Sequence, residues 1–172
     1  VNAFPRFIIE SSEVAKSLIE IIGIGLTIRY QKSGRKMIQV AERCFLSVIP
    51  FTNKNSNILE IIAPQLLYGI LMAANGNMPS NVLEEIVNSF HNIWMKTSDD
   101  IMRLVLRRIM TIKTFPSAKT KEKTKEVFVT QIICDECRRS KARFKKLLKA
   151  FCGGKKKRDK MRALHMERGA SQ

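Results

Sequence analysis

The residues able to do chemistry are few and scattered: two histidines, four cysteines, and 31 Lys and Arg against 15 Asp and Glu. His91 and His165 stand in unrelated contexts, and His91 falls beside an apolar stripe, where a structural role fits it best. Cys134-Asp135-Glu136-Cys137 has the spacing of a metal knuckle or a redox pair. A zinc ribbon needs two such tight pairs, whereas the remaining candidates, Cys152 and His165, are separated by 12 residues. A thioredoxin-type pair needs a βαβ setting, and none is present. The two thiols read instead as neighbours on one face of a helix, beside Val129 and Ile133. Gly23-Ile24-Gly25 lacks the third glycine and the preceding strand of a dinucleotide loop, so it reads as two small residues that let helices pack closely. No P-loop, nucleophile elbow or paired carboxylates stand out, and Asp99 and Asp100 suit a helix start. The expectation is a protein that is not an enzyme and needs no cofactor or metal.

Positive charge is the remaining chemical resource, and it is unevenly placed. The formal net charge is +16. Residues 1–112 carry 12 Lys/Arg against 9 Asp/Glu, net +3, while residues 113–172 carry 19 against 6, net +13. Such a basic end favours nucleic acid, an anionic membrane or an acidic protein surface, without choosing among them. Between Arg138 and Phe151 the residues Phe144, Leu147, Leu148 and Phe151 form one apolar stripe. Arg138, Arg139, Lys141, Arg143, Lys145, Lys146 and Lys149 cover the remainder. A basic amphipathic helix can bind calmodulin, a membrane surface or phosphates. The reading preferred is a terminal helix docking its stripe on the preceding pair, with Arg138, Arg139, Lys145 and Lys146 left outside. Lys155-Lys156-Lys157-Arg158-Asp159-Lys160 resembles a nuclear localisation signal, and residues 155–172 read as a basic flexible tail. The candidate partner-binding residues are therefore Arg138, Arg139, Lys145, Lys146, Lys155, Lys156, Lys157 and Arg158.

The elements that must carry these groups are helical. Val82, Leu83, Ile86, Val87, Phe90, Ile93 and Trp94 follow the i, i+3, i+4, i+7 ladder of one helix face, with Ser80 where an N-cap belongs. Asn57 to Ala74 is apolar nearly all round, and Pro64 within it predicts a kink or a late helix start. Upstream, Ser12 to Tyr30 predicts one helix, Gln31 to Gly34 a turn, and Arg35 to Ile49 a second helix with Met37, Ala41, Cys44, Phe45 and Val48 on one face. Downstream, Ser98 opens a helix with Ile101, Leu104, Val105, Ile109 and Ile112 facing inward, broken by Phe115 to Thr120. A last pair runs from Glu122 to about Glu136 and from about Arg139 to Cys152. Helix starts near 12, 57 and 98 give spacings of 45 and 41 residues, within the period of HEAT and armadillo repeats. The fold class expected is all-α: a HEAT/armadillo-like α-solenoid of three to four helical hairpins over residues 1–154, then the tail. A closed helical bundle is the alternative.

Length and composition bound the rest. The chain has 172 residues, 45% of them hydrophobic, enough for one compact domain or a short stack of repeats. Four cysteines are too few to staple a secreted domain of this length and read as reduced thiols of an intracellular protein. No signal peptide is visible. The most apolar run, Ile58 to Ala74, contains Glu60, Pro64 and Gln65 and falls short of the roughly 20 residues needed to span a bilayer. The first residue is Val, which suggests a fragment or a processed product.

Certain phrases resemble a known family. Pro64-Gln65-Leu66-Leu67-Tyr68-Gly69-Ile70-Leu71, a turn, and then Met78-Pro79-Ser80-Asn81-Val82-Leu83-Glu84-Glu85-Ile86-Val87 resemble late HEAT repeats of importin-β superfamily (karyopherin) receptors. Phe115-Pro116-Ser117-Ala118-Lys119, Glu126-Val127-Phe128-Val129 and the stretch from Arg143 to Cys152 are similar to the terminal repeat of the transportin-SR and importin-thirteen branch. The resemblance covers roughly residues 12–154. Full receptors are several times longer and usually acidic, so this chain would be their C-terminal end and departs from them in charge. The resemblance implies nucleocytoplasmic transport: protein cargo held on the solenoid, loaded or released by the GTP-bound GTPase Ran, in nucleus and cytoplasm. Family contacts to Ran lie mostly in N-terminal repeats, so no residue here is assigned to them. The rival expectation is a basic helical protein that contacts RNA through its C-terminal third.

Overall fold

The computed structural model describes residues 11–27, 31–73 and 80–152, and among them every regular element is a helix. The first two are α1 (Ser12–Thr27) and α2 (Gln31–Val48). The expected turn at Gln31–Gly34 is helical instead. Ile38, Ala41, Phe45 and Val48 recur at helical spacing on the buried face, and buried Gly34 continues that stripe one turn upstream. Packing along the stripe outweighs the turn-like composition of the segment. A single 3₁₀ turn at Ile49–Phe51, with Pro50 in its opening positions, ends α2.

Pro64 acts as expected, by delaying regular helix. A wide π turn spans Ile58–Ile62, closed by the Ala63 N–H donating back to the Ile58 carbonyl, and α3 (Ala63–Ala73) begins one residue before the proline. Pro64 thus lies where the wide turn passes into regular α-helix, and the change of hydrogen-bond pattern coincides with its missing N–H. The next helix, α4 (Ser80–Met95), buries every member of the seven-residue ladder from Val82 to Trp94. In α5 (Asp99–Met110) the Ser98 hydroxyl accepts the Ile101 N–H, Asp99 and Asp100 occupy the first turn, and Arg107 and Arg108 the last. Each charge thereby opposes the helix dipole.

Leu104 does not face inward; it is 44% exposed. The buried arc of α5 consists of Met102, Val105, Leu106, Ile109 and Met110, whereas Leu104 shares its arc with Asp100, Arg103, Arg107 and Arg108. Turning Leu104 inward would carry those charges with it. The last pair also departs from expectation. Helix α6 (Glu122–Ile132) stops short of Glu136, Ile133 leaves helical geometry at φ −96°, ψ 72°, and Cys134 is extended at φ −139°, ψ 158°. A short helix α7 (Asp135–Arg139) restarts there on two acids suited to a helix start, and α8 (Lys141–Cys152) follows.

Helix α1 packs on α3 and α2 on α4, so the first two pairs lie side by side; α3 packs in turn on α5, and α5 on α6. Helix α8 rests on α6 and also reaches back to α4. One apolar core runs through all of them, from Ile19 to Cys152. The close approach expected at the glycine pair occurs at Gly25 alone: a Cβ there would run into the end of the Met37 side chain, while nothing stands within 4 Å of one on Gly23. Among the described residues no helix is long and apolar enough to cross a membrane.

Candidate protein-binding surface

Helix α8 is positioned by two aromatic clusters. Near its start, fully buried Phe144 lies 5.0 Å from the Phe90 ring, 5.7 Å from His91 and 6.1 Å from Trp94, all on α4. At its end, Phe151 stacks on Phe128 of α6 at 3.8 Å and 8° and meets Phe115 at 5.9 Å, which in turn meets Tyr68 of α3 at 5.5 Å. Leu148 is buried between these anchors, and Leu147 is partly buried against the core. The stripe read from the sequence is therefore the docking face of α8.

A polar seam runs alongside. Trp94 Nε1 donates to Asp99 Oδ1 at 2.7 Å, and Arg138 Nη1 donates to the same oxygen at 3.4 Å. The Arg138 guanidinium lies 5.9 Å from the Trp94 ring centroid, and the Arg138 carbonyl is 3.2 Å from His91 Nε2. That contact makes Nε2–H the donor tautomer. Burial lowers the His91 pKa, which the carbonyl contact opposes and the Lys141 and Arg138 cations reinforce. Farther along, Lys141 donates to Asn88 at 3.3 Å, and Lys145 pairs with Glu84. The hydrogen bond from Lys145, ahead of other nearby cations, holds the Glu84 carboxyl below its usual range. On the opposite flank of α4, Arg35 and Gln39 of α2 donate to Glu85 at 3.2 and 2.9 Å.

The eight candidate residues therefore separate. Arg138 and Lys145 are not left outside: Arg138 is spent on Asp99 of α5 and on Trp94 and His91 of α4, and Lys145 on Glu84 of α4. The spacing placed both among the outward cations of one basic stretch, but Arg138 sits on α7 facing Asp99 of α5, and the part of α8 that carries Lys145 lies next to Glu84 of α4. Arg139 and Lys146 are exposed and have no ion-pair partner among the described residues. Lys155, Lys156, Lys157 and Arg158 lie outside the described residues. A second basic surface, missed in the sequence, is the outer face of α5. There Asp100, Arg103, Leu104, Arg107, Arg108 and Thr111 line a shallow groove of about 540 Å³. Its signal was present: Asp100, Leu104, Arg107 and Thr111 recur at helical spacing, and Leu104 among arginines marks an outward arc.

Lys125 was also missed as a structural group. Only 1% exposed, it donates from Nζ to the carbonyls of Met110 at 2.8 Å and Ile112 at 3.1 Å, with Glu122 at 3.1 Å. It thereby satisfies the carbonyl end of α5 with a cation. Its position one turn before Phe128 and Val129, in register with the apolar face, was the readable clue. No group of three or more His, Cys, Asp and Glu able to hold a metal occurs among the described residues. What the surface offers is charge and shape: exposed Arg and Lys with one apolar side chain, on a rigid helical frame. Compared with known proteins, the chain matches no family model, no curated sequence and no solved structure.

Proposed function

We propose that the chain is a non-enzymatic helical-repeat scaffold that binds protein cargo, acting as the C-terminal part of a nuclear transport receptor. The observation that carries the scaffold reading is the order of packing. The pair α1–α2 lies against α3–α4, equivalent helices meet (α1 with α3, α2 with α4), and α3 continues onto α5. Stacking of this kind over the first five helices supports a solenoid, with α8 returning to α4 at its end, whose outer surface is available to partners. The transport reading rests on the resemblance of residues 64–87 and 115–152 to importin-β superfamily repeats. Its test uses washed, permeabilised cells and the full chain fused to a passenger too large to diffuse through nuclear pores. Entry without added receptors supports the proposal. Exclusion until soluble import receptors are restored overturns it, because the chain is then a cargo.

One observation favours the RNA reading as an alternative: exposed Arg139 at the end of α7 and exposed Lys146 on α8 lie within a C-terminal third of net charge +13. Against it, Phe144, Phe151 and Trp94 are all buried, so the aromatic rings of this region offer no stacking platform for bases. Phosphate binding through several cations would fall by orders of magnitude over a few-fold rise in salt, which separates the two readings.

A further inference from the structure

The cysteine pair gains a role from the break between α6 and α7. Cys134 stands in extended geometry at the N-cap of α7 and is half-buried, while Cys137 is fully buried three residues on. Both thiols donate to one acceptor, the Gln131 carbonyl, at 3.1 Å from Cys134 Sγ and 3.4 Å from Cys137 Sγ. Residues three apart around the first turn of a helix hold their Cα atoms roughly 5–6 Å apart, inside the span a disulfide accepts. The two sulfurs are thus gathered at one point with only the outer one reachable. Cys44 and Cys152, by contrast, are buried in the core, far apart in sequence.

We propose that Cys134 and Cys137 form a redox-active dithiol that exchanges with small-molecule disulfides of the glutathione type. The Cys134 thiolate attacks one sulfur of the incoming disulfide; a mixed S–S bond forms, and the first small thiolate leaves and takes up a proton. Cys137 then releases its proton to solvent and attacks the Cys134 sulfur, so that the intramolecular S–S bond forms and the second small thiolate leaves. Two protein thiols are oxidised and one small disulfide is reduced to two thiols. Reaching Cys137 needs a local loosening of α7, a five-residue helix. Burial, with the neighbouring Cys134 thiol, pushes Cys137 up to about 12, partly offset by Arg143. A thiol that basic attacks slowly and leaves poorly, so the bond forms slowly and resists reduction once made.

The test incubates the folded full chain with oxidised glutathione, quenches with acid, alkylates after denaturation and maps the peptides by mass. The expected result is an internal link between Cys134 and Cys137, with Cys44 and Cys152 alkylated. Cys137→Ala should instead trap a glutathione adduct on Cys134, and Cys134→Ala should leave Cys137 unmodified. If Cys137→Ala fails to fold by circular dichroism, the wild-type peptide map alone decides. Four alkylated thiols after oxidation, or a Cys134 adduct without the internal link in the wild type, overturns the proposal.

Discussion

Replacing Lys125 with Met keeps most of the buried stem and removes only the ammonium, so it measures what that charge does at the end of α5. The Met110 carbonyl loses its 2.8 Å donor, and a buried carbonyl stripped of its partner costs about 1–3 kcal/mol. The Ile112 carbonyl keeps the Phe115 N–H at 3.1 Å, so its loss stays nearer 0.5–1.5 kcal/mol on the scale of a single hydrogen bond. Glu122 is 76% exposed, and its pair with Lys125 contributes about 0–1 kcal/mol. Relief from holding an ammonium out of water works in the opposite direction. The balance expected is a loss of about 2–4 kcal/mol, which lowers Tm by about 5–15 °C for a domain of this size. Urea unfolding followed by circular dichroism measures it, with an unchanged m-value showing that the unfolded state is unaltered. Lys123→Met, on the exposed face of the same helix, should stay within about 0.5 kcal/mol of wild type. If Lys125→Met were as stable as wild type or more so, dehydration of the ammonium would outweigh its hydrogen bonds, and Lys125 would not be what holds the end of α5.

Trp94→Ala, which empties a fully buried site and strips Asp99 of its indole donor, should lower stability by about 3–5 kcal/mol in thermal or urea melts. His91, whose folded pKa lies below its ordinary 6.5, binds its proton more readily when unfolded. Its contribution is therefore intact above that value and lost as pH falls from 6.5 through the lowered folded value, so melts in this window should slope downward and flatten in His91→Gln. Glu84, lowered by Lys145, titrates at more acidic pH and leaves that window clear. Reversing Arg139 and Lys146 to Glu should leave Tm nearly unchanged while reducing affinity for anionic partners and the salt dependence of that affinity.

Most helices were legible because their apolar positions recur every 3.6 residues, and the α4 ladder was read with all seven members correct. Leu104 was misassigned because a stripe read residue by residue admits any apolar side chain at its margin. The Met102–Leu106–Met110 flank settles the angle only when the charged arc is counted as well. The break at Ile133–Cys134 was not legible: Val129, Ile133 and Cys137 keep helical spacing straight through it, and the fold interrupts them so that α8 can turn back onto α4. Arg138 and Lys145 were identified as basic and amphipathic, but their partners Asp99 and Glu84 lie 39 and 61 residues away. No local pattern carries that pairing.

The return of α8 to α4 sets an order on how the chain can be completed as it is made. The aromatic face of α4 around Phe90, His91 and Trp94 exists as soon as that helix forms, yet its cover arrives much later; His91 and Arg138 alone are 47 residues apart. At translation rates of about 5–20 residues per second, that interval lasts roughly 2–10 seconds. Throughout it, a nascent chain exposes two large rings and an imidazole on a helix whose other flank is already seated on α2. A chain stopped before Phe144 would keep that face permanently open, and holdase chaperones or other nascent chains would compete for the place of α8.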